Sequence, residues 1–85
     1  MTTTNITNKK IVIKTPKKVA YIGFVRGQFI VSICGIYNEG DYNREALIVL
    51  KEFTQEWRVV KLLADFNLFI NKEALINFKT LTKVV

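Results

Sequence analysis

Residues 9–14 alternate, with Ile11 and Ile13 set against Lys10, Val12 and Lys14. Period-two alternation predicts a short strand with two unlike faces. Thr15-Pro16-Lys17 ends it, because Pro16 has no N–H to give to a ladder. Residues 18–25 and 29–37 are rich in Val, Ile, Phe and Tyr and predict two longer strands. Arg26-Gly27 lies between them. A two-residue connection whose glycine can take positive φ predicts a tight antiparallel hairpin. Both faces of the first long strand are apolar, with Val19, Tyr21 and Val25 on one side and Ala20, Ile22 and Phe24 on the other. A strand with one solvated face would alternate with polar residues. The expectation is a sheet covered on much of both faces, partly by a helix and partly by another subunit.

Asn38 to Asn43 is rich in turn formers and predicts a loop. Ala46-Leu47-Ile48-Val49-Leu50 is a short apolar run that fits a strand or a helix. The strand is preferred, over residues 46–52. Thr54 can cap a helix, and Trp57, Val60, Leu63 and Ala64 then recur at helical spacing, predicting a helix over 55–65. Asn71 opens a last segment with Leu75, Phe78 and Leu81 on one side, either a short helix or an extended arm. Residues 1–8 are small and polar and read as a disordered tail before a single domain over 9–85. The fold class is therefore α+β, a four-stranded antiparallel sheet followed by a helix (ββββα) and a short C-terminal helix or arm.

Charge changes this picture by its placement. The formal net charge is +6. Lys9, Lys10, Lys14, Lys17, Lys18 and Arg26 precede residue 39 with no acidic side chain among them, and the remaining charges cancel. A one-signed local field attracts polyanions. The apolar share, 49%, is more than so short a chain readily hides, which predicts a subunit interface.

The inventory of reactive groups argues against catalysis. The chain has no histidine, one serine (Ser32) and one cysteine (Cys34), so Ser-His and Cys-His nucleophile pairs and histidine-ligated metals are excluded. Its four glycines form no phosphate-cradling motif. The expectation is a non-enzyme with no metal and no cofactor. The first residues lack an apolar leader, no window is apolar enough to span a bilayer, and a single thiol suits a reducing compartment. These point to a cytoplasmic protein. Abundant Lys, Asn, Ile and Thr fit an AT-rich source such as a phage.

Two stretches, Phe24 to Ile33 (FVRGQFIVSI) and Thr54 to Leu63 (TQEWRVVKLL), together with Tyr37 between them, resemble the positive cofactor four family. These are single-stranded-DNA-binding transcriptional coactivators related to the Whirly fold. The likeness covers about residues 18–65. It departs at Gln28, where the family usually has a second basic residue, and at Cys34, where a basic residue on the sheet face is usual. The resemblance implies a dimer formed through helix and sheet, with single-stranded DNA across a curved basic surface. It implies phosphate contacts from Arg26 and Lys18, with Lys14 and Lys17 nearby, and base stacking on Tyr37.

The residues themselves fit that chemistry, since single-strand binders pair cations along the phosphates with aromatics under the bases. Lys14, Lys17, Lys18, Arg26 and Tyr37 are the candidate nucleic-acid-binding residues. Trp57 and Val60 are expected to anchor the core or a dimer interface. The expected function is sequence-tolerant binding of single-stranded nucleic acid, DNA more than RNA, by a homodimer in transcription or replication. The alternative is a small phage-type interaction module that inhibits or redirects a host protein.

Overall fold

The structure, a computed structural model, describes residues 2–84, with side-chain surroundings as far as Thr82. Met1 of the expected tail and Val85 of the expected domain lie outside the described residues. Five strands follow one another: β1 (Thr3–Ile6), β2 (Ile11–Lys14), β3 (Lys18–Val25), β4 (Gln28–Glu39) and β5 (Tyr42–Phe53). Two helices close the chain, α1 (Glu56–Asp65) and α2 (Lys72–Val84). The strands form one antiparallel sheet in the order β1-β2-β3-β4-β5. The fold is α+β, with five strands and two helices where sequence predicts four strands and one firm helix.

The extra strand is β1, inside the stretch read as a tail. Its side chains are all exposed, so it contributes almost nothing to the core. Backbone pairing holds it against β2, from Thr3–Lys14 to Ile6–Ile11. Apolar patterning therefore gives no sign of it.

The turns on either side of β2 share one construction. Thr7 Oγ1 accepts the amides of Lys9 and Lys10 and donates to the Lys10 carbonyl. Thr15 Oγ1 does the same with Lys17 and Lys18. Threonine closes each turn locally, and each leaves a Lys-Lys pair at one end of the strand. The β3–β4 hairpin has positive φ at both Arg26 (53°) and Gly27 (80°), the signature of a type I′ turn.

Strand β5 settles the helix-or-strand alternative, and it is longer than expected. It pairs with β4 from Phe29–Phe53 to Glu39–Tyr42, with a bulge opposite Ile33/Cys34. The bulge absorbs Ile48, whose Cδ1 lies 3.4 Å from where a Cβ on Gly35 would sit. Beyond Gly35 the β4–β5 pair continues as a ribbon.

Ile11, Ile13, Ala20, Ile22, Phe29, Val31 and Ile33 point to one face of the sheet. Val59 and Leu63 of α1, Leu68 of the connection, and Leu75 and Phe78 of α2 pack on them. The C-terminal segment is thus a helix rather than an arm. Asn71 caps it, its Oδ1 accepting the Glu73 amide at 2.9 Å. Thr54 does not cap α1. Gln55 stands at that position, without a side-chain cap bond.

The buried stripe of α1 is also not the expected one. Val59 and Leu63 are buried, Val60 and Leu62 pack beside them, and Trp57 is 51% exposed. Of the two residues expected to anchor the core or a dimer, Val60 packs beside the core, whereas Trp57 does not and keeps only the dimer alternative. Residues 57, 59, 60, 62, 63 and 64 are all apolar, so periodicity leaves the helix phase open. Packing on the sheet selects it.

Candidate functional site

Strand alternation divides the sheet into a helix-covered face and an open one. Because β2 buries Ile11 and Ile13, Lys14 is directed to the open face. Because β3 buries Ala20 and Ile22, Lys18 is directed under the helices. There its ammonium donates to the Phe66 carbonyl at 3.0 Å and lies 5.7 Å from the Phe66 ring centroid. Lys17 sits in the exposed β2–β3 turn, its own carbonyl accepting the Ile36 amide. Arg26 is at the other end of β3, about 25 Å away at 3.3 Å per residue. Tyr37 lies on the ribbon opposite Arg44 and is about half exposed.

The five nominated residues therefore do not share one surface. Lys14 and Lys18 are on opposite faces of the sheet. Lys18 serves as a helix-end cation, and Arg26 is far from both. The sequence places these residues close together along the chain, but strand alternation and the length of β3 separate them.

A different cluster does form. Lys51, Phe53, Trp57, Arg58, Lys61, Leu62 and Asp65 line a shallow cleft of about 260 Å³ between β5 and α1. Trp57 and Lys61 are one turn apart on the helix, so they share a face. Lys51 comes from the strand, on the helix side because it pairs with the buried Val31. The Arg58 guanidinium lies 5.1 Å from the Trp57 ring centroid, within cation–π range. Trp57 keeps about half its surface free even with Arg58 against it. Three cations and an open indole thus face a cleft with one carboxylate, Asp65, at its border. Arg26 leaves the sheet at this same end, since Phe29 beside the hairpin pairs with Phe53.

Sequence reading missed this cluster because residues 39–85 are neutral in sum. The available signal was local: Arg58 and Lys61 beside Trp57, with Lys51 just upstream.

The open face holds a second constellation. The Tyr21 hydroxyl donates to Glu45 Oε1 at 2.8 Å, bridging β3 to β5 over β4. Lys10 Nζ lies 5.7 Å from the Tyr21 ring centroid. The hydrogen bond to Glu45, with lesser contributions from burial and the Glu45 charge, raises the Tyr21 pKa above its usual 10.0. Burial, with Glu45 next, raises that of Cys34. Val19 is fully covered on this face, whereas Leu47 and Leu50 remain 60% and 59% exposed. No helix among the described residues is long and apolar enough to cross a membrane.

No protein-family model, no curated protein and no solved structure matches this chain. These comparisons neither support nor contradict the likeness to positive cofactor four coactivators.

Proposed function

We propose that this chain is a non-enzymatic, sequence-tolerant binding protein for single-stranded nucleic acid, and that the β5–α1 cleft is its site. The observation that carries the reading is Trp57, about half exposed among Lys51, Arg58 and Lys61. A base can stack on the free indole surface, worth about 1–3 kcal/mol and indifferent to sequence because every base has a π-face. Arg58, whose planar fork suits phosphate oxygens, and the two lysines then follow the backbone. The helix-covered position of Lys18 removes it from this role. Arg26 stands at the right end of the sheet to extend the cationic track. A reducing, cytoplasmic setting fits the single thiol.

Trp57 is the sole tryptophan, so its own fluorescence reports on the site. Titration with an oligo(dT) strand at about 50 mM salt should quench it. With three phosphates engaged, log affinity should fall against log salt with a slope near −2. Arg58→Glu and Lys61→Glu should each weaken binding. Absence of binding at low salt, or binding that leaves Trp57 fluorescence and both variants unaffected, would remove the proposal.

A second reading, a protein-docking module, rests on the exposed Leu47 and Leu50 of the open sheet face. A partner held through that face would survive nuclease treatment and be lost in Leu47→Asp, with the Trp57 cleft untouched.

A further inference from the structure

The open sheet face is apolar in the middle and oppositely charged at its flanks. Val12, Ile30, Cys34 and Ile36, all half-buried, occupy the centre by strand alternation together with Tyr21 and Ser32, while Val19 among them is already covered. Lys10 and Lys14 stand at the β2 flank, Glu45 and Glu52 at the β5 flank. The register sets their levels. Glu52 pairs with Ile30, Ile30 with Gly23, and Gly23 is next to Ile22, which pairs with Ile11. Lys10 and Glu52 therefore lie at one level of the sheet. Lys14 pairs with Val19, Val19 with Cys34, and Cys34 with Leu47, two residues from Glu45. Lys14 and Glu45 lie close to a second level.

We infer that a second copy of this chain covers the open face, related by a two-fold axis running parallel to the strands between β3 and β4. That operation lays the β2 flank of one copy over the β5 flank of the other and preserves level along the strands. Lys10 then meets Glu52 of the other copy, and Lys14 approaches Glu45, twice over. The apolar centres meet each other, together with Leu47 and Leu50. A two-fold perpendicular to the strands would instead set lysine on lysine and glutamate on glutamate. Like-charge juxtaposition excludes it. Aligned packing of two such sheets is an ordinary arrangement, with strands about 30° apart across the interface.

The axis superposes β2 on β5 and β3 on β4, and leaves β1 outside. Because β2 has 4 residues and β3 has 8, the overlap is about 400 Å² per copy, or about 800 Å² for the pair. That is the size of a weak, concentration-dependent contact rather than a permanent one. The β5–α1 cleft lies on the helix side of the sheet, so both copies keep it open. The inference does not depend on what that cleft binds.

Charge reversal tests the axis. Sedimentation should show the native chain as a dimer at about 100 μM. The double variant Lys10→Glu/Lys14→Glu should be monomeric, and so should Glu45→Lys/Glu52→Lys. Mixing the two should restore a dimer containing one of each, because both flanks then carry opposite charges across the interface. Cys34 provides a readout that needs no substitution: its alkylation should slow at least severalfold as the concentration passes through the dimer range. A native chain that stays monomeric at 100 μM overturns the inference. So do charge-reversed variants that dimerise as the native chain does, or a Cys34 rate independent of concentration.

Discussion

Lys18 Nζ donates a hydrogen bond to the carbonyl oxygen of Phe66, the residue that ends α1, at 3.0 Å. A cation at a helix C-terminus meets the negative end of the dipole and carbonyls that lack helical partners. Lys18 thereby joins the start of β3 to the far end of the first helix. Lys18→Met should cost about 1–2 kcal/mol, the loss of a charge-assisted bond at a partly buried site. Urea unfolding measures that loss. Oligonucleotide affinity should stay within about twofold, which separates this lysine from the cleft.

Trp57 and Phe78 should behave oppositely. Phe78 is fully buried, and Phe78→Ala should cost about 3–5 kcal/mol. Trp57 is half exposed, so Trp57→Ala should cost less than about 1 kcal/mol while reducing oligonucleotide affinity tenfold or more. Chemical denaturation paired with anisotropy distinguishes them. A large stability loss at Trp57 would show that the indole packs as an anchor after all.

The β3–β4 hairpin should respond to its backbone angles. Gly27→Ala places a Cβ at φ 80° and should destabilise by about 1 kcal/mol. Arg26→Asn puts a residue tolerant of φ 53° into the type I′ turn and should raise the melting temperature slightly. Thermal unfolding of the pair gives both signs.

The Tyr21–Glu45 bond predicts an alkaline signature. The raised pKa means that the folded chain holds the phenol proton to higher pH than the unfolded chain does. The bond's contribution to stability is therefore complete below about pH 10. It is lost as pH climbs through the folded value. Tyr21→Phe lacks that contribution at neutral pH, so the gap between the two chains should begin to narrow as pH rises past 10.0. Urea midpoints followed from pH 8 into the alkaline range measure this, and a gap that does not change with pH would contradict it.

Local chemistry was readable along the chain where it was sufficient by itself. Arg26-Gly27 specifies its turn through positive φ, and the flanking β-branched and aromatic runs specify β3 and β4. Asn71 carries its capping oxygen with it. Strand β1 was not readable, because backbone pairing with β2 defines it and backbone pairing leaves no mark on side-chain pattern.

What the sequence alone determined, then, is the α+β class, the central hairpin, the first helix and the excess of positive charge. Tertiary structure decided which way each charge points. Strand alternation sends Lys51 to the helix side and its neighbour Glu52 to the open side. A half-chain that sums to zero is thereby sorted into a cationic cleft and an acidic flank. Packing likewise chose Val59 over Trp57 for the core, and so left the indole free beside the cations. Adding charges along a chain cannot anticipate this sorting. The face a residue occupies depends on strand register and helix phase, and both are set by long-range contacts.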